Sequence, residues 1–311
     1  MTRKSNLMLV CVISSVLLFG CGESGPKCDP PEQLACKSAD FSNANLEGLD
    51  LSSADLTGAN LRGANLSGAN LTGAKLQGAN LFGANLEGAD LAFARLYSAI
   101  LNTANLIKAD LHGTNLQDAL LEDVNLTGAD LTDAYLSGTV LSNANLQGAV
   151  LINADLTGAK LQGVNLEGAD LSGANLDSAN LVGANLVEAN LEGADLQGTF
   201  LNGANLERAI LVRAILYNSN LSDANLSYAN LYDANLSDAN LTGAKFQGAK
   251  LVGANLVLST LTGADLTGAD LTRADLKAAD LTGADLTGAD LTDADLFGAL
   301  MPDGTYGGKS S

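Results

Sequence analysis

Seven aspartates, Asp265, Asp270, Asp275, Asp280, Asp285, Asp290 and Asp295, stand five residues apart without a break. A row of carboxylates offers hard oxygen ligands, the chemistry of Ca2+ and Mg2+ sites. The Gly-Gly-x-Gly-x-Asp nonapeptide of calcium-binding β-rolls is absent from the sequence, however. Weak Ca2+ binding by Asp265 with Asp285, and by Asp270 with Asp290, is therefore set against a plain solvated acidic face. The one histidine, His112, has no Cys, Ser or acid partner recognisable by spacing, and the cysteines show no metal-ligand spacing. No catalytic constellation emerges, and the expectation is a protein without cofactor or enzymatic activity.

Composition narrows the partners. With 16 Lys+Arg against 35 Asp+Glu the formal net charge is −19. Nucleic acid is excluded as a ligand, because phosphates need neutralising cations. Hydrophobic residues make up 47% of the chain and aromatic ones only 4%, so a sizeable core must be built from Leu and Ala.

The N-terminus reads as an export signal. Arg3 and Lys4 precede an apolar run from Leu7 to Phe19, too short to span a bilayer comfortably and suited to a signal-peptide core. Leu18-Phe19-Gly20-Cys21 resembles the lipobox of bacterial lipoproteins, although Phe19 is larger than the usual occupant of its slot. An ordinary secretory signal and an uncleaved anchor are the alternatives. The resemblance implies cleavage after residue 20 and lipid attachment at Cys21, hence a membrane-anchored envelope protein. Gly22 points to the outer rather than the inner membrane. Residues 21–38 then form a linker or cap. Cys28 and Cys36 within it are either a disulfide, expected in an exported protein, or two free thiols.

The core of the chain is a repeat. The 265 residues from Ala39 to Asp303 divide into 53 units of five with no insertion. Position one is Ala or another small residue, with Leu49 the bulky exception. Position two is usually Asn or Asp, position three is Leu except at Phe41, Phe246 and Met301, and position five is often Gly. A continuous α-helix would step successive leucines by about 140°, leaving no stripe. A continuous strand would flip them to opposite faces, because five is odd. A chain that turns a corner every five residues keeps Leu and Ala inward, with Gly supplying the positive φ of a tight turn.

This pattern resembles the pentapeptide-repeat family, A(D/N)LXX. The resemblance implies an all-β right-handed quadrilateral β-helix over 39–303, four units per coil, with about 13 coils stacked into a rod of about 60–65 Å. Residues 304–311 are expected to be a flexible tail.

Four units per coil place residues 20 apart on top of one another, so departures from consensus map onto the surface. Position two, expected to face solvent, is apolar at Ile100, Leu120 and Val140 in successive coils, with Tyr135 and Val150 on the adjoining sides. A second cluster joins Ile210, Ile215 and Tyr217 to Arg208 and Arg213, with Phe200 ahead of it. Exposed apolar clusters mark contact sites, either for an unidentified protein or for self-association; drift among solvent-facing positions is the alternative. The leading functional reading is a non-enzymatic, lipid-anchored acidic scaffold for protein–protein interaction. Its rival, implied by acidic family members that mimic DNA, is a regulator of DNA gyrase. The export signal disfavours that reading.

Overall fold

The computed structural model describes residues 36–308. The chain forms two compact units, which divide between Asn145 and Leu146. Both are built from the same five-residue element, and in each the parallel β pairing consists of isolated bridges between residues 20 apart.

Ala64–Gly68 shows the element. Its five N–H groups all find acceptors, as a buried backbone requires. Ala64 N–H closes a turn onto Leu61 O at 3.0 Å. Asn65 N–H donates to Ala44 O in the preceding coil, while Leu66 and Gly68 N–H donate to Asn85 O and Glu87 O in the following one. The fifth, Ser67 N–H, is beyond reach of another coil and bonds the Asn65 side-chain Oδ1 at 3.2 Å. Gly68 takes φ 61°, as the third residue of a type II turn must. The same pattern recurs in the second unit at Ala224–Tyr228, where Ser227 N–H bonds Asn225 Oδ1 at 3.1 Å.

Position two is therefore not a free outward ladder, as the sequence suggests. Its side-chain oxygen curls back onto the main chain in an Asx turn. Where asparagine lies above asparagine, the amide nitrogen also reaches the coil beneath: Asn85 Nδ2 donates to Asn65 Oδ1 at 3.1 Å, and Asn225 Nδ2 to Asn205 Oδ1 at 3.0 Å.

Positions one and three fill each interior. Leu61, Leu66 and Leu71 in the first unit and Leu201, Leu206 and Phe246 in the second are fully buried, as are Ala184 and Ala204. Hydroxyls in the alanine slot are tolerated because a carbonyl lies within reach. Thr199 Oγ1 donates to Leu196 O at 2.8 Å, and Ser219 Oγ to Leu216 O at 2.6 Å.

Both ends differ from expectation. Cys36, assigned to the linker, occupies the leucine slot of an earlier unit: it is buried, its N–H donates to Asp55 O, and its carbonyl accepts from Ala39. A small apolar side chain suits that slot. Cys28, Cys21 and the export signal lie outside the described residues. At the other end, 304–308 are not a free tail. The chain reverses through Gly304 and returns antiparallel, bridging Leu300 with Tyr306, and Gly307 N–H donates to Ala299 O at 2.8 Å. Glycines at the reversal allow φ 82° at Gly304 and a close approach at Gly308, where a Cβ would fall 2.5 Å from Phe297 N.

A larger residue in the alanine column has nowhere to go. Ala184→Leu is expected to destabilise the protein by about 1–3 kcal/mol through overpacking. Thermal denaturation checks this, and an unchanged midpoint would contradict the inward packing of position one.

Candidate interaction surface

The first unit carries exposed apolar and aromatic side chains on two adjoining sides. Ile100 and Leu120 are bridged in parallel and exposed at 37% and 38%. Val140, bridged to Leu120, is half-buried. On the adjoining side the column runs Arg95, Asn115, Tyr135, and Tyr135 is 52% exposed. An aliphatic side chain at position two cannot accept a hydrogen bond, so the N–H groups of Asn102 and Glu122 lack the Asx acceptor that their counterparts in consensus units have. The Asn102 side chain donates to Glu122 Oε2 at 2.9 Å, while its Oδ1 is buried without a hydrogen-bond partner among the described residues.

Two members of this surface escape a search confined to position two. Phe93 and Tyr97, in the same coil as Ile100, are the more exposed at 59% and 50%. Phe93 holds φ 57° at the corner position where glycine is usual. A bulky residue there is a conformational outlier. Its ring lies against Gly113, whose missing Cβ would stand 2.7 Å from two ring carbons. His112 meets it edge-on, with centroids 5.2 Å apart and planes at 87°. The available signal was an aromatic residue in a glycine slot with glycine 20 residues on. Exposed Arg95 lies between Phe93 and Tyr97, and exposed Asp118, Glu122 and Asp123 flank Leu120.

The other residues singled out in sequence lie in the second unit. Val150 is half-buried and bridged to Asp170. Ile210, Ile215, Tyr217 and Phe200 are exposed, but they belong to different columns: Ile210 is bridged to Asn190 and Asn230, Ile215 to Asp195 and Asn235, and Phe200 to Asn180 and Asn220. Arg208 and Arg213 are not free cations beside them. Arg213 pairs with Glu192, and Arg208 lies 3.8 Å from Glu188 and 3.6 Å from Glu207.

The aspartate run stacks as its spacing requires, Asp265 with Asp285, Asp270 with Asp290 and Asp275 with Asp295. Its Oδ1 atoms are engaged by the chain itself. Thr272 Oγ1 and N–H reach Asp270 Oδ1 at 2.6 and 3.0 Å, and Thr292 does the same to Asp290 at 2.6 and 2.9 Å. Lys277 Nζ spans Asp275 and Asp295, at 2.9 Å from each. Among the described residues no group of three or more His, Cys, Asp or Glu side chains is placed to hold a metal ion.

The repeat matches the pentapeptide-repeat family over residues 36–102, 104–256 and 259–298. The chain belongs to the pentapeptide-repeat family. Among solved structures, this pentapeptide-repeat chain is similar to HetL from the cyanobacterium Nostoc sp. strain PCC 7120, described as involved in heterocyst differentiation regulation. The identity is 37% over 76% of this chain and 91% of that one, with a TM-score of 0.28. A pentapeptide repeat protein from the Arabidopsis thaliana thylakoid lumen is 32% identical over 30% of this chain and 66% of its own, with a TM-score of 0.30. QnrB1, a plasmid-mediated fluoroquinolone resistance protein, is 19% identical over 61% and 86%, with a TM-score of 0.35. No curated protein sequence matches the chain.

The hydroxyl and amide of Thr292 hold the Asp290 carboxyl below its ordinary value of 3.8. A depressed carboxyl pKa contributes stability that is present above the unfolded value and lost as pH falls through the folded one. Thr292→Val removes the hydroxyl, the larger cause, and keeps the N–H. Carboxyl NMR titration should therefore show the Asp290 pKa rising towards 3.8, with acid unfolding starting at higher pH. An unmoved Asp290 titration would contradict the assignment.

Proposed function

We propose that this chain is a non-catalytic scaffold of the bacterial envelope, held on a membrane by lipid at Cys21, that binds another protein through the Phe93–Ile100–Leu120–Tyr135 face. The observation that carries the reading is the set of exposed aromatic and aliphatic side chains, Phe93, Tyr97, Ile100, Leu120 and Tyr135. Interfaces are enriched in aromatic residues and arginine, as here in Phe93, Tyr97, Tyr135 and Arg95. The acidic residues flanking Leu120 favour a partner whose periphery carries Lys or Arg. The lipobox-like Leu18–Cys21 supports the address, and two or more acyl chains hold a protein on a membrane stably where one does not.

The test compares wild type, Cys21→Ala and the double variant Ile100→Asp/Leu120→Asp in cells given labelled palmitate and a cross-linker. Wild type should take up label, fractionate with membranes and cross-link to a discrete partner. Cys21→Ala should lose label and membrane association. The double variant should keep both and lose the cross-link. Unlabelled wild type would remove the anchor from the reading, and a cross-link unchanged in the double variant would remove the surface.

A further inference from the structure

We infer that the final coil of the second unit is a β edge able to pair with a second copy of this chain, and that Asp285 and Asp290 hold it apart. In every earlier coil of that unit the position-three and position-five N–H groups donate to the coil that follows, as Leu266 does to Asp285 O and Leu271 to Asp290 O. In the last coil the N–H groups of Leu286, Gly288, Leu291 and Asp293 have no acceptor among the described residues. The interior is open there too. Leu286, Leu291 and Leu296 are partly exposed, whereas the leucines of the coil below them, Leu266, Leu271 and Leu276, are fully buried.

Such an edge is self-complementary. Each free side presents a carbonyl at position one and an N–H at position three, so Ala289 O and Leu291 N–H of one copy can exchange bonds with the same pair of an antiparallel second copy. That pairing would bring Asp290 opposite Asp290, about 5 Å apart.

The placement of charge follows the openness of the edge. The side that the chain itself covers, by the return from Leu300 to Tyr306, carries Leu300 at position two. The neighbouring Asp295 is neutralised by Lys277. Asp285 and Asp290, on the two open sides, have no cation within ion-pairing distance among the described residues. Each also lies on another aspartate, Asp265 or Asp270, and those lie in turn on Lys245 and Lys250, so the nearest cation in either column is two coils away. Asparagine would spend its amide on the coil beneath, as Asn255 does on Asn235, and leave no charge at the edge; aspartate supplies one. Charged side chains on an unpaired edge keep it from joining another.

Sedimentation velocity over a concentration series tests this with Asp285→Asn/Asp290→Asn against wild type and against Asp265→Asn/Asp270→Asn, which removes equal charge one coil inside. The edge variant should self-associate about fivefold more tightly than wild type, the scale set by relieving the Asp290–Asp290 contact in water. The interior variant should match wild type. Adding Leu291→Glu to the edge variant should return it to the wild-type mass. An edge variant no more associated than wild type would overturn the inference. So would equal association of the interior variant, or association that survives Leu291→Glu.

Discussion

One hydrogen bond braces the consensus five-residue coil side: the bond from a position-four N–H to the side-chain oxygen two residues before it. In a unit with a coil on either side, such as Ala64–Gly68, the other four N–H groups are satisfied by the turn or by adjacent coils, and this one is not. An orphaned buried donor costs about 1–3 kcal/mol. The need for a short side chain with an acceptor oxygen explains why position two is Asn or Asp in so many units. The inward leucines and the corner glycines then follow from the turn that this bond braces.

Seen this way, the surface has two kinds of departure. Thr or Ser at position four reinforces the bond by adding a hydroxyl to the same oxygen, as Thr272 and Ser227 do at 2.6 and 2.7 Å. Ile100, Leu120 and Val140 abandon it, in three successive coils of one side. Phe93 departs in another way, holding an aromatic ring at positive φ against Gly113. The two departures flank the side that carries Arg95 and Tyr135, one along the neighbouring column and one at its far corner. The same logic separates the two ladders. Asparagine columns tie coils together through their amides, and aspartate columns cannot.

Much of the fold is legible in the sequence because a five-residue period admits few backbones. The inward assignment of Leu61 and Ala184, the glycine corners and the register of 20 all follow from that period. The role of position two is not legible, because Asn65 reads as an outward polar residue until the direction of the Ser67 N–H is known. Phe93 and Tyr97 are missed for a related reason: attention to position two overlooks the corners, where side chains lean towards the next coil. Cys36 reads as part of a linker although it fills a leucine slot, and the return through Gly304 depends on backbone pairing that no periodicity reports. Of the candidate surface, the Ile100–Leu120 stripe and Tyr135 are readable from spacing alone, and its most exposed residue is not.

The Asx bond can be tested without reference to any partner. In Asn225→Ala, native-state hydrogen exchange should show the Ser227 amide exchanging about tenfold faster, the effect of losing one bond worth about 1 kcal/mol or more. The Leu226 and Tyr228 amides, bonded to Lys245 and Gln247, should stay protected. Ser227 exchange unchanged from wild type would contradict the claim that the position-two side chain closes the backbone of each unit.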